Sequence, residues 1–104
     1  MADTQPQQIH ATCIAIGGKG VLLLGPSGGG KSDLALRLIA AGAELVADDR
    51  VDLSLGADGS VRASAPAALA GMIEARGLGI LAMPALADAP VWLACELTDG
   101  GAID

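Results

Sequence analysis

Aromatic side chains are almost missing from this sequence: one tryptophan, Trp92, and no tyrosine or phenylalanine in 104 residues. Folds that grip nucleic acid by stacking bases on surface rings need several, so the composition argues against that mode. Positive charge is scarce as well. Six lysines and arginines stand against twelve aspartates and glutamates, a formal net charge of −6. DNA, RNA and anionic membranes attract the opposite balance, so a phosphate ligand must be held by focused local chemistry. The two cysteines, Cys13 and Cys95, have no Cys-x-x-Cys spacing. Zinc and redox motifs are therefore unsupported, and two small buried thiols in a reducing cytosol are expected. No apolar run reaches the roughly 18 residues of a membrane span. The polar start, Met1 to Gln8, lacks the basic-then-apolar pattern of a secretory signal. These absences describe a cytoplasmic protein that binds neither nucleic acid nor membrane.

What is present is a foldable chain. Hydrophobic residues make up 52% and charged residues 17%, which is incompatible with disorder. One small domain with a core of leucine, isoleucine, valine and alanine follows, preceded by a flexible leader over residues 1–8. Alternation from Ile9 to Ile16 predicts one half-buried strand. Gly17 to Gly20 reads as a turn and Val21 to Leu24 as a short buried strand. Ser32 to Ala41 carries a helical stripe (Leu34 with Leu38, Ala35 with Ile39) that Gly42 terminates. Leu45 to Ala47 is a second buried strand, ending at Asp48-Asp49. Val51 to Leu55 and Val61 to Ala63 form a hairpin, and Pro66 opens a short helical turn. Met72 to Glu74 and Ile80-Leu81 flank the turn Arg76 to Gly79. Pro84 to Pro90 reads as a loop, and Val91 to Leu97 as the last strand. The fold class is α/β with few helices, open at its C-terminal end.

The strongest signal is Gly25-Pro26-Ser27-Gly28-Gly29-Gly30-Lys31-Ser32, a complete G-x-x-x-x-G-K-[ST] phosphate loop, or Walker A motif, between a strand and a helix. Glycines let successive backbone N–H groups curl around phosphate oxygens. The helix N-terminus adds partial positive charge. Lys31 reaches the β- and γ-phosphates, and the Ser32 hydroxyl is placed to ligate Mg²⁺. In such enzymes an acid at the end of a neighbouring strand holds the metal or orients the nucleophile. Asp48 and Asp49 occupy that place and, pointing apart on an extended chain, divide the two tasks; the competing reading is a pair of solvated turn acids. Taken alone, Glu74 is a surface carboxylate or a metal ligand, His10 a structural histidine, and Arg50, Arg62 and Arg76 surface or ion-pair residues.

Four segments together resemble the catalytic domain of HPr kinase/phosphorylase: His10-Ala11-Thr12, the loop Gly25 to Ser32, Leu45 to Asp52, and Ile73-Glu74-Ala75-Arg76-Gly77-Leu78-Gly79-Ile80. The likeness runs from about Ile9 to Met83 and is nearest to the short forms of alphaproteobacteria. It implies a phosphate-loop fold related to phosphoenolpyruvate carboxykinase. It also implies an ATP- and Mg²⁺-dependent kinase/phosphorylase acting on a serine of HPr or an HPr-like phosphocarrier of the phosphotransferase system, regulating carbon or nitrogen metabolism. His10, Lys31, Asp48, Asp49 and Arg76 become catalytic. Asp49 is the proton acceptor from the substrate serine and the donor in the reverse, phosphate-driven reaction. Ser32 and Glu74 become Mg²⁺ ligands, and the family's assembly is a hexamer. Ala82 stands near the place where longer members carry an aspartate. A further catalytic arginine and a C-terminal segment of the family have no counterpart before Asp104. The chain is therefore expected to lack the family's C-terminal segment, as a piece of a longer protein or a natural form of weakened chemistry.

Two other function classes compete. One is an ATP-binding sensor module with little catalysis. The other is a small-molecule kinase or carboxykinase-like enzyme, against which the Arg-Gly-Leu-Gly segment weighs.

Overall fold

A computed structural model gives the three-dimensional structure, described for residues 7–26 and 30–97. The first strands are β1 (Gln7–Ile9), β2 (Thr12–Ile16) and β3 (Lys19–Leu24), followed by the helix α1 (Lys31–Ala40). Then come β4 (Glu44–Ala47), β5 (Val51–Leu55), β6 (Val61–Ser64), β7 (Met72–Ala75), β8 (Gly79–Ala82) and β9 (Asp88–Glu96). Seven strands form one sheet in the order β1-β5-β6-β9-β3-β2-β4, while β7 and β8 pair separately. Within the large sheet β3 and β9 run parallel and the other neighbours antiparallel. With one helix of this length among the described residues, the architecture is α/β with a mixed sheet.

Period-two alternation builds a separate core on each face of the sheet. Cys13, Ala15 and Leu22 join Val46, Val51, Ala63 and Ala89 in one cluster. Ile14, Leu23 and Leu45 meet Ala35 and the flanking Leu34, Leu38 and Ile39 of α1 in the other, with Ile73 of β7. The helical stripe thus covers one face only. On the other face β4 touches β6, although several strands separate them in the sheet. The sheet therefore curls around its first cluster.

The strand expected over Ile9–Ile16 is two strands. β1 pairs with β5, Ile9 opposite Val51, whereas β2 pairs with β3 and β4. The alternation is nonetheless continuous: Ile9, Ala11, Cys13 and Ala15 all face the first cluster. Periodicity records which face is buried, not which strand is the neighbour, so a change of partner at His10-Ala11 leaves no trace in it. Gln7 and Gln8, assigned above to the leader, belong to β1, and Gln8 donates a side-chain bond of 3.0 Å to Asp52.

Smaller boundaries shift for local reasons. The first hairpin turns on Gly17-Gly18 alone, at φ 59° and 83°, with Ile16 opposite Lys19, the conformation a two-residue hairpin loop favours. Gly20, expected in the turn, lies inside β3 opposite Ala15, and only glycine fits there because a Cβ would meet Pro90 O at 2.7 Å. β9 begins three residues before the expected Val91 and passes from β6 to β3 around Pro90, where a residue without N–H is tolerated. The helix ends as expected: Gly42 has φ 118°, and Gly42 and Ala43 N–H donate to Ile39 and Leu38 carbonyls, a Schellman closure. The turn after Pro66 is a single 3₁₀ turn, Ala67–Leu69. No helix among the described residues is long and apolar enough to cross a membrane.

Candidate functional site

The N-terminus of α1, the end of β4, the corner between β1 and β2, and the β7–β8 hairpin converge on one cleft of about 210 Å³. α1 contributes Lys31 and Ser32 in its first turn, directly after Gly30, whose φ of 94° turns the chain into the helix. Lys31 is buried and its ammonium donates to the carbonyls of Gly25 and Pro26 at 2.8 and 2.9 Å. The lysine is thereby folded across the start of the loop. Ser27, Gly28 and Gly29 lie outside the described residues.

Asp48 is the hub. Only 5% exposed, it accepts the Ser32 hydroxyl at 2.7 Å and the Thr12 hydroxyl at 2.8 Å on Oδ1, and the Glu74 N–H at 3.0 Å on Oδ2. One carboxylate ties the helix, β2 and the hairpin together. A buried carboxylate requires such partners, since leaving it bare costs several kcal/mol in practice.

Asp49 behaves differently. Its φ is 72°, and the Arg50 N–H donates to the Asp48 carbonyl at 2.8 Å. This closes a γ-turn with Asp49 at its centre, a strained conformation for a residue with a Cβ. The two acids therefore part because of a turn and not by alternation along an extended strand, as the sequence reading had it. The Asp49 side chain, 59% exposed, lies 3.1 Å from His10 Nε2 and 3.9 Å from Arg50 Nε. His10 reaches it from the corner where β1 gives way to β2.

Glu74 and Arg76 complete the opposite wall from the β7–β8 hairpin. Ile73 and Ala75 are buried, and Ile73 packs against the helix cluster, so the alternate position Glu74 is exposed. Every described residue singled out as catalytic or metal-binding, His10, Lys31, Ser32, Asp48, Asp49, Glu74 and Arg76, lines this cleft. Sequence reasoning gave no task to two others there, Thr12 and Asp33. Thr12 shows itself only as a polar residue opening an apolar strand and as part of the His10-Ala11-Thr12 segment, neither of which gives it a task, whereas Asp33 resembles any first-turn acid.

The cleft holds four carboxylates, Asp33, Asp48, Asp49 and Glu74, against the ammonium of Lys31 and the guanidinium of Arg76. Left to itself this balance repels a polyphosphate. A divalent cation reverses it, and the donors suit Mg²⁺: a serine hydroxyl and carboxylates, all hard oxygens. Among the described residues no three His, Cys, Asp or Glu side chains form a dedicated metal cage.

Comparison with known proteins agrees with this geometry. The family model for the HPr serine kinase C-terminal domain matches residues 2–87. The chain is 46% identical over 79 residues to HPr kinase/phosphorylase of Clostridium novyi, covering 76% of this chain and 25% of that protein. It is 48% identical over 73 residues to HPr kinase/phosphorylase of Bordetella pertussis, covering 70% and 24%. Among solved structures, the Hpr(Ser) kinase/phosphatase of Coxiella burnetii superposes with a TM-score of 0.80 at 33% identity, over 86% of this chain and 58% of that one. The chain spans about a quarter of the length of these curated relatives. The family model's range, residues 2–87, takes in the glycine loop, the paired acids and the hairpin, and the chain belongs to the HPr serine kinase C-terminal domain family.

Proposed function

We propose that this chain carries the phosphoryl-transfer site of an ATP- and Mg²⁺-dependent protein-serine kinase/phosphorylase, acting on HPr or an HPr-like phosphocarrier. The observation that carries the reading is the pairing of a buried, fully bonded Asp48 behind Lys31 and Ser32 with an exposed Asp49 turned out to the mouth. The loop Gly25–Ser32 cradles the phosphates, and Lys31 exchanges its two carbonyls for phosphate oxygens. Ser32 and Glu74 would hold Mg²⁺, which would supply positive charge against that developing on the phosphates. Asp49 takes the proton from the substrate serine hydroxyl as that oxygen attacks the γ-phosphorus and ADP leaves. In the reverse direction, with inorganic phosphate as acceptor, Asp49 returns the proton to the serine oxygen as the phosphoserine P–O bond breaks. His10 orients the Asp49 carboxylate, and Arg76 faces the transferred group from the hairpin.

The reading includes the family's wider setting: kinship of this fold with phosphoenolpyruvate carboxykinase, a hexamer, a cytoplasmic location, and control of carbon or nitrogen metabolism through the phosphotransferase system. The sensor-module alternative leaves the γ-turn at Asp49 without a use. Backbone strain persists where surrounding structure enforces it, typically at sites of chemistry. Transfer of label from γ-labelled ATP to a purified HPr-type protein tests the reading directly. Mg²⁺-dependent labelling of the carrier serine supports it; no transfer to any HPr-type carrier, with nucleotide binding intact, gives the sensor module precedence.

A further inference from the structure

Three polar side chains are buried among the described residues: Lys31, Asp48 and Thr12. The proposed chemistry uses the first two and leaves Thr12 idle. Yet Thr12 is fully buried on a strand whose next three residues, Cys13, Ile14 and Ala15, are apolar and equally buried. Valine would fill the same volume with equal strand preference and no hydroxyl to satisfy. The threonine hydroxyl instead donates to Asp48 Oδ1 at 2.8 Å. The same oxygen accepts the Ser32 hydroxyl at 2.7 Å, and Oδ2 accepts the Glu74 N–H at 3.0 Å. With both oxygens engaged from three elements, the carboxylate has no rotational freedom.

That rigidity bears on Ser32. A hydroxyl that ligates Mg²⁺ turns a lone pair to the cation and must send its proton to another acceptor. Asp48 Oδ1 is that acceptor here, so the direction of Asp48 sets the direction of the Ser32 lone pairs. Thr12 is what holds Oδ1 from the strand side. We propose that Thr12 is a positioning residue of the magnesium site, acting through Asp48 on the Ser32 hydroxyl; the inference rests on the Mg²⁺ role proposed for Ser32. Partners behind metal ligands commonly change metal affinity 10–100-fold when removed.

The test is calorimetric titration of Mg²⁺ into protein with a non-hydrolysable ATP analogue, together with titration of the analogue without metal. Thr12→Val should weaken Mg²⁺ about 10–100-fold and leave metal-free nucleotide affinity unchanged. Thr12→Ser, which keeps the hydroxyl and drops the methyl, should restore the wild-type Mg²⁺ titration. In a Ser32→Ala background Thr12→Val should cost nothing further, since the route to the metal is already cut. The proposal is overturned if Thr12→Val titrates as wild type, if Thr12→Ser is as weak as Thr12→Val, or if the two losses add. Circular dichroism checks folding, and Thr12→Ala takes the place of Thr12→Val if the latter does not fold. Wild-type protein that binds the analogue with no Mg²⁺ dependence would defeat the magnesium reading itself, and Thr12's role with it. A Mg²⁺-dependent wild type with indifferent Thr12 variants defeats the Thr12 inference alone.

Discussion

Asp48 and Asp49 are neighbours of identical chemistry in opposite situations. Asp48 is buried, accepts three hydrogen bonds and joins three elements. Asp49 is exposed, sits at φ 72° and has the side chains of His10 and Arg50 beside its carboxylate. A single γ-turn separates a residue that organises the cleft from one that, on the proposed reading, exchanges a proton in it. The first is held by bonds whose loss damages the fold. The second is held by backbone strain whose relief would improve it. A carboxylate is useful as a base only where its lone pairs remain available, so the proposed function gives that task to Asp49 and not to Asp48.

Substitution at Asp49 should give the largest effect, and on rate alone. Asp49→Asn keeps the shape and tolerates positive φ, so stability should hold while phosphotransfer to HPr falls about 10²–10⁴-fold, the usual worth of a positioned base. Asp49→Gly sharpens the contrast: relief of the left-handed strain should raise thermal stability, by up to about 1 kcal/mol, in a protein equally inactive. A less stable Asp49→Gly protein would show that the strain is smaller than the unfolded-chain entropy glycine adds and the His10 and Arg50 contacts it removes.

Next comes Lys31. At a hundredfold excess over its Kd, Mg²⁺–ATP should stabilise the wild type by about 2.7 kcal/mol, seen as a rise in Tm. Lys31→Ala should lose most of that rise and fold normally without ligand. An undiminished rise would remove Lys31 from the phosphate site.

Asp48→Asn should reverse the Asp49 pattern. If the amide oxygen keeps the two hydroxyls, its NH₂ group faces the Glu74 N–H, donor against donor. An unsatisfied buried donor costs about 1–3 kcal/mol, readable as a lower urea midpoint at unchanged slope, and Mg²⁺ affinity should fall with it. Were Asp48→Asn fully stable and inactive while Asp49→Asn transferred normally, the roles would have to be exchanged.

The smallest effect lies outside the cleft, at the Arg62–Asp88 pair joining β6 to β9 at 2.6 Å. The Arg62 hydrogen bond holds the Asp88 carboxyl below its usual range. A depressed carboxyl stabilises the fold above its unfolded pKa, near 4, and the gain disappears as pH falls through the folded value. Asp88→Asn should therefore flatten the acid limb of the stability profile slightly, with phosphotransfer unchanged. A pair this exposed contributes little at neutral pH.

Much of the site was legible because its chemistry is written in contiguous residues. The loop Gly25–Ser32 needs its glycines, lysine and serine at set spacings whatever the rest of the chain does. The helix stripe and Gly42 likewise depend on neighbours three to five residues away. What stayed hidden depends on distant partners. Ile9 to Ile16 reads as one strand because burial alternates without a break, although β1 and β2 pair with different strands. Thr12 looks like an ordinary strand residue until Asp48, 36 positions on, is placed beside it. Of the two thiols expected to be buried, Cys13 is, and burial pushes its pKa up to about 11, whereas Cys95 is only half-buried.

From sequence alone came the chemical inventory: a phosphate loop on a helix N-terminus, acids after a buried strand, and a Glu-x-Arg-Gly-Leu-Gly hairpin. Those features follow from local backbone rules and hydrophobic period, which act over a few residues. Only the tertiary structure decided which of two adjacent aspartates is buried, that His10 meets Asp49, and that Asp48 gathers Thr12, Ser32 and Glu74. Each of those outcomes depends on a curled sheet bringing segments tens of residues apart within hydrogen-bond distance, and no local rule encodes that meeting.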